Sequence, residues 1–232
     1  MQWKIEFKKY NNSAGICGII QTMNIDERLN ADFIIKELED VCPGFHGQVI
    51  RFALTDSTNR TAKEYAMRGE ECLVIADRQN GGRGRYNRSF VSEEGGLYMS
   101  LCLKVDKERL EAIAKEGSPE DDATFAVGER LIQYPVQTGE AVAKALGALY
   151  DEKFEIKLPN DVLLNRKKVV GILIEAIHRE ESIFLIFGVG VNLENPLPKE
   201  LDQAANLLEL TGKRVPREKV CAQIVHEILN IL

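Results

Sequence analysis

Apolar residues fall along this chain in short blocks divided by polar or glycine-rich breaks, and most blocks have the length of a strand. Cys72-Leu73-Val74-Ile75-Ala76 predicts a buried strand, and Gly96-Leu97-Tyr98-Met99-Ser100-Leu101-Cys102-Leu103 predicts a second. Val49 to Leu54 predicts another upstream. The densest strand region follows residue 153: Phe154-Glu155-Ile156-Lys157, then Leu158-Pro159-Asn160-Asp161, then Val162-Leu163-Leu164. A turn at Asn165-Arg166-Lys167 reverses the chain into Lys168 to Glu175, and after a polar bend at His178 to Glu181 the run Ile183 to Val191 returns. Reversals this short join antiparallel strands.

Helical stretches lie between these blocks. Asn30 or Asp32 caps a helix over Phe33 to Glu39, which ends before Cys42-Pro43-Gly44. Asp56-Ser57-Thr58-Asn59 sets N-cap residue types before a helix over Arg60 to Arg68 that stops at Gly69. Lys107 to Glu116 predicts an exposed helix. Tyr134 to Tyr150 predicts a longer one, with Pro135 in its first turn and Val136, Val142, Ala143, Leu146 and Leu149 on its buried side. Pro216 to Leu232 closes the chain as a helix. Residues 1 to about 30 are the least legible, with a short strand near Gly15 to Ile20. The pattern is α+β: a mixed, largely antiparallel sheet with helices against one face. Residues 1–45 are expected to form an N-terminal extension and residues 46–232 the main domain.

Composition narrows the classes of function. The chain has 232 residues, is 44% hydrophobic and 28% charged, and carries a net charge of −6. That balance argues against bulk binding of nucleic acid. The longest apolar runs, such as Ile183 to Val191, are far shorter than the about 18 residues of a membrane span. Met1 to Lys9 has no signal-peptide core. The five cysteines lie far apart, which fits reduced, buried thiols in a cytoplasmic protein, and His46, His178 and His226 form no ligand pattern.

Candidate chemistry gathers on a few polar segments. Gly81-Gly82-Arg83-Gly84-Arg85-Tyr86-Asn87-Arg88-Ser89-Phe90 combines glycines, which let a backbone come close, with guanidinium groups suited to carboxylates and phosphates. It is tied to a predicted strand at each end, and alone it reads as an anion-binding loop. Lys157 and Asp161 flank Pro159-Asn160, and Lys168 starts the strand one hairpin turn later. Strict alternation puts Lys168 on the face of Val170, Ile172 and Ile174. Taken singly, these residues are solvated turn lysines and a helix cap.

Their order changes the reading. Asp56-Ser57-Thr58-Asn59, Gly82-Arg83-Gly84-Arg85 with Arg88 and Phe90, Gly96 to Ser100, Lys157 to Asp161, Lys168 to Glu175 and Gly188-Val189-Gly190-Val191-Asn192 together resemble the catalytic domain of biotin protein ligases over about residues 45 to 230. The resemblance implies a two-step reaction. Biotin and ATP, with Mg²⁺, give biotinyl-5′-adenylate, and a lysine of a biotin carboxyl carrier domain then takes the biotinyl group. By the family pattern, Ser57, Thr58, Asn59 and Gln79 contact the bicyclic end of biotin. Gly82, Arg83, Gly84 and Arg85 fold over the ligand, and Gly171 lines the apolar wall. Arg83, Arg85, Arg88, Phe90, Asn160, Asp161 and Asn192 serve the nucleotide, with Asp161 also a candidate Mg²⁺ partner. Arg85, Lys157 and Lys168 are the candidate catalytic residues, and Lys168 contacts the biotin carboxylate.

The sequence also departs from that pattern. Asn87 stands where a glycine is usual, and Leu158 and Phe90 stand where tryptophans are usual. The expectation is of a chain lacking both the small C-terminal β-domain and the DNA-binding helix-turn-helix found in relatives. No operator binding and no membrane association are expected, and a homodimer formed edge to edge is a candidate assembly. Two alternatives stand beside the ligase. A lipoate or octanoate ligase or transferase shares the fold, but those families usually show a loop ending in a histidine–aspartate pair or a catalytic cysteine–lysine arrangement, and this loop has arginines and no histidine. A non-catalytic module that holds biotin or the carrier domain is the other.

Overall fold

A computed structural model describes residues 6–11, 17–22, 30–43, 45–84, 88–106, 123–179 and 182–232, the backbone alone for 6–11, 17–22, 106 and 123–132. The apolar blocks become a seven-stranded sheet. Its strands are β3 (Gln48–Thr55), β4 (Cys72–Gln79), β5 (Leu97–Asp106), β6 (Glu155–Lys157), β7 (Asp161–Leu164), β8 (Lys167–Arg179) and β9 (Ser182–Val191), in the order β3-β4-β5-β9-β8-β7-β6. β3 and β4 run parallel, and every other neighbouring pair is antiparallel. A parallel pair needs a crossover, here supplied by the helix over Thr58–Arg68. A separate antiparallel hairpin joins β1 (Glu6–Asn11) to β2 (Cys17–Thr22).

The helices are α1 (Ala31–Val41), α2 (Thr58–Arg68), α3 (Ala123–Tyr150), α4 (Leu207–Thr211) and α5 (Arg217–Leu229). Strand alternation sorts the core into two layers. Leu73, Ile75, Met99, Leu101, Leu185, Phe187 and Val189 face a large cluster that includes Ile34 and Leu38 of α1, Val142 and Leu146 of α3, and Ile224 and Ile228 of α5. Ile50, Val74, Cys102 and Ile186 face the other way, onto Ala62 and Ala66 of α2. Helices therefore cover both faces of the sheet, not the one face expected. The unbroken run Leu73 to Ala76 already carried the reason, because a strand without polar alternation is buried on both sides.

Local chemistry sets the helix ends. Asn30 caps α1, its side chain accepting from Asp32 N at 3.0 Å and Phe33 N at 3.3 Å. Gly69 ends α2 in the left-handed region at φ 83°, and Arg179 Nη1 donates to Met67 O at 2.9 Å over the same terminus. α3 starts well before Tyr134, so Pro135 sits inside the helix and not in its first turn. Proline removes one intrahelical hydrogen bond there. Tyr134, buried and edge-to-face on Phe187 with centroids 5.9 Å apart, anchors the helix beside that gap. The helix expected over Lys107 to Glu116 lies outside the described residues.

A buried ion cluster ties α5 to the sheet. Asp77, 1% exposed, pairs with Arg51 on β3 and accepts from Arg217 Nη1 at 3.3 Å, at the start of α5. Burial pushes the Asp77 carboxyl up, against the pull of both arginines. Among the described residues, no helix is long and apolar enough to cross a membrane.

Candidate active site

Register builds the floor of a cleft. Ala76, Tyr98, Gly190, Gly171, Asp161 and Lys157 are successive partners from β4 to β6, and Val74, Ser100, Gly188 and Leu173 form the next row. Both rows lie on the α2 face. Glycines in these rows leave the sheet surface low. A Cβ at Gly171 would stand 2.8 Å from the Phe90 ring, one at Gly190 2.6 Å from it, and one at Gly188 2.1 Å from Asn59 Oδ1. Above them opens a cleft lined by Ser57, Thr58, Asn59, Gln79, Arg83, Gly84, Phe90, Met99, Asn160, residues 171–173 and residues 188–190.

One end of the cleft is a hydrogen-bonded polar network. Ser57 is the N-cap residue of α2, but its side chain makes no capping bond. Gln79 takes over that task, its Oε1 accepting from Thr58 N at 2.8 Å and Thr58 Oγ1 at 3.2 Å. Gln79 Nε2 donates to Ser92 Oγ at 2.9 Å, and Ser92 Oγ donates to Phe90 O at 2.9 Å. Ser100 Oγ lies 2.8 Å from Thr58 Oγ1 and 2.6 Å from Asn59 Oδ1, one hydroxyl proton serving two acceptors. Asn59 Nδ2 donates to Glu175 Oε2 at 2.9 Å and Leu173 O at 3.3 Å. Ser57, Thr58 and Asn59 are all under 8% exposed, so their polar atoms would be costly to leave unpaired.

The arginine-glycine loop leaves this end of the cleft as a narrow ladder. Arg83 bridges Ser89, Gly84 N donates to Arg88 O at 2.7 Å, and Phe90 N donates to Gly82 O at 2.9 Å. Arg83 and Gly84 line the cleft. Gly82 sits behind it, where a Cβ would meet Phe90 O and Ser92 Oγ, each at 2.6 Å. Arg88 is exposed and outside the lining. Arg85 and Asn87 lie outside the described residues.

The other end is charged. Lys168 Nζ lies 2.7 Å from Asp161 Oδ1 and 5.8 Å from the centroid of Phe90. Lys168 stands on the face of Gly171, with its Cε 3.4 Å from the position of a Gly171 Cβ, not on the face of Ile172 as alternation predicts. The cause is a bulge. Val162 pairs with Val170 but Leu163 pairs with Lys168, so Val169 is the extra residue and the alternation flips across it. The backbone of Lys168 is held as well: its N–H donates to Gln203 O at 2.8 Å and its O accepts from Ala205 N at 3.1 Å.

Asn160 lines the cleft and is pinned to β8, with Nδ2 donating to Ile172 O at 2.8 Å and its carbonyl accepting from Ile172 N at 3.0 Å. Lys157 is exposed on the edge strand, on the face of Asp161. Asn192 is buried just past the end of β9, its Oδ1 accepting from Asn195 Nδ2 at 3.2 Å. Ser92, Ser100, Gly188, Gly190 and Glu175 take part in the architecture without having been singled out as site residues. Ser100 carried a signal, a polar residue on an otherwise apolar buried strand. The alternating Gly188 and Gly190 carried another, since both fall on one face.

A family model for the biotin/lipoate A/B protein ligase family matches residues 51–192, which hold the whole cleft. The chain belongs to this family. Among ligases of this family, the bifunctional ligase/repressor BirA of Bacillus subtilis is 35% identical over 177 residues, covering 73% of this chain and 49% of BirA. BirA of Escherichia coli is 27% identical over 207 residues, covering 86% of this chain and 56% of its own length. The chain thus spans about half the length of the curated relatives it matches. A biotin protein ligase from Aquifex aeolicus, solved in complex with biotin and ATP, superposes with a TM-score of 0.56 at 30% identity, covering 79% of this chain and 71% of that ligase. The mixed, largely antiparallel sheet is the fold of these ligases.

Proposed function

We propose that this chain is a biotin–protein ligase: it joins biotin to ATP as biotinyl-5′-adenylate and passes the biotinyl group to a lysine of a biotin carboxyl carrier domain. The observation that carries the choice of biotin is the hydrogen-bonding inventory of the polar end. Gln79 Oε1 is filled by Thr58, and one Nε2 proton goes to Ser92, which leaves one donor free. Asn59 spends both amide protons on Leu173 and Glu175, which leaves an oxygen able to accept. A donor beside an acceptor complements a cyclic urea, with its N–H groups flanking a carbonyl. The dithiolane of a lipoyl chain offers neither partner and would leave both groups unpaired.

The charged end fits the first step. A biotin carboxylate oxygen attacks the α-phosphorus of ATP, the bond to the bridging oxygen breaks and pyrophosphate leaves. Two anions must meet, so cations have to offset their repulsion and the charge growing at phosphorus. Lys168, steadied by Asp161, is placed for the carboxylate. Arg83 reaches the cleft from the loop, and Arg85, Arg88 and Lys157 are assigned to the phosphates. Among the described residues, no group of three or more histidine, cysteine or acidic side chains could hold a metal. Mg²⁺ enters with the MgATP substrate, with Asp161 as a carboxylate for its water shell. In the second step a neutral lysine amine attacks the acyl carbon, AMP leaves, and the ammonium proton passes to solvent. Phe90 and the glycine floor keep the acyl chain in an apolar channel, and Asn160 and Asn192 hold the strand ends that border the nucleotide.

Purified protein incubated with MgATP and a carrier domain should release pyrophosphate with biotin and not with lipoic acid, and should label the carrier lysine. Pyrophosphate release driven by lipoic acid would transfer the reading to the lipoyl branch. Biotin binding with no pyrophosphate release would leave only a binding module.

A further inference from the structure

Glu175 ends the apolar run Lys168 to Glu175, and the reaction as described gives it no task. It lies on β8 opposite Ile186, on the same face as Gly171 and Leu173 but beyond the cleft and outside its lining. A carboxylate on this half-buried, α2-covered face needs a reason. Its partner in the structure is Asn59, whose Nδ2 donates to Glu175 Oε2 at 2.9 Å.

We infer that Glu175 is a positioning residue that locks the Asn59 amide with its oxygen toward the ligand. This role rests on the biotin reading above and on the chemistry of three groups. Leu173 O and the Glu175 carboxylate are acceptors only, so the Asn59 NH₂ must face them. Ser100 Oγ at 2.6 Å supplies the donor on the opposite side. With both protons engaged, the amide has one orientation, and the remaining lone pair of Oδ1 is what the cleft displays. Without Glu175, one amide proton loses its partner. The amide is then free to turn and offer a donor where a urea N–H must be received, and two donors face each other. Gly188 belongs to the same arrangement, since any side chain there would occupy the place of Asn59 Oδ1. Glu175 touches neither substrate in this account; it sets the polarity of a residue that does.

The test compares Glu175→Leu with Glu175→Gln in steady-state pyrophosphate release. Gln keeps an acceptor for Asn59, and Leu removes it at similar size. Glu175→Leu should raise the KM for biotin about tenfold or more, while the KM for ATP and the kcat at saturating biotin stay within about threefold. Glu175→Gln should hold the biotin KM within about threefold of the parent. A second arm does not depend on the Leu variant folding. Asn59→Asp alone sets two carboxylates against each other, and adding Glu175→Gln restores a donor between them, so the double variant should bind biotin about fivefold or more tightly than Asn59→Asp. Equal biotin KM in Glu175→Leu and the parent, or no recovery in the double variant, would overturn the role of Glu175 alone. Parent protein that binds no biotin would overturn the ligase reading and this inference with it.

Discussion

Lys168 and Asp161 come within 2.7 Å of each other because β8 carries an extra residue, Val169, against β7. Without that bulge, Lys168 would project from the face of Ile172, into the α1, α3 and α5 core. The bulge turns it to the glycine floor, and Asp161, paired with Gly171, receives it there. Lys168→Ala should therefore cut pyrophosphate release by at least about 100-fold, since loss of a donor aimed at developing charge costs about 3–4 kcal/mol. Thermal stability should move little, because the pair is partly exposed, 33% and 24% for the two side chains. A folded variant with near-parental turnover would remove Lys168 from the reaction.

Gly190 and Gly188 share a face, but their substitution should have different consequences. A Cβ at Gly190 meets the Phe90 ring, which hangs from a surface loop and can tilt away. Gly190→Ala should keep the melting temperature nearly unchanged while weakening biotin binding as the floor fills. A Cβ at Gly188 meets Asn59, held by Ser100, Leu173 and Glu175, and those bonds must break for it to move. Gly188→Ala should lose about 1–3 kcal/mol in urea unfolding as well as ligand affinity. Calorimetric titration beside denaturant melts separates the two outcomes.

The Arg51–Asp77–Arg217 cluster makes a prediction about stability alone. Asp77→Leu leaves two guanidinium groups buried without their counter-charge, a loss of about 3–5 kcal/mol. Replacement of all three by apolar residues should recover most of it. Urea midpoints of the single and triple variants test this, and a single variant as stable as the parent would contradict it.

Thiol reactivity gives a pH-dependent prediction. Burial pushes the Cys42 thiol up to about 12, with Glu227 adding to the effect, and burial also raises Cys221. The thiolate is the reactive form, so native protein at pH 8 should leave Cys42 and Cys221 unlabelled by iodoacetamide until denaturant is added. A thiol whose folded pKa is raised favours the native state fully below its ordinary value of 9.0, and for Cys42 that contribution is lost as the pH rises from there toward 12. Stability should accordingly fall across that alkaline interval, and Cys42→Ser should flatten the fall. Peptide mapping by mass spectrometry and melts from pH 8 to pH 11 are the measurements.

The sequence by itself determined which segments became strands, because burial on two faces demands unbroken apolar runs such as Leu73 to Ala76 and Ile183 to Val191. It also determined which residue types could meet: the cap cluster at Ser57 to Asn59, the Arg83 loop and the Lys168 strand are legible because their chemistry is local. What it did not carry was the registration of distant strands. Period-two reasoning cannot see the bulge at Val169, so it sent Lys168 to the wrong face. It marked Asp56 to Asn59 as cap-type residues, but did not show that Gln79, on another strand, receives the Thr58 N–H. It put the helices on one face, because the side taken by the α2 crossover is settled only when the sheet is assembled. Asn192 and Glu175 show the same division. Each is a polar residue that closes an apolar run, yet one pairs with Asn195 and the other with Asn59. Only the packed structure decides that, because a buried polar group goes to whichever partner the fold brings within hydrogen-bonding distance.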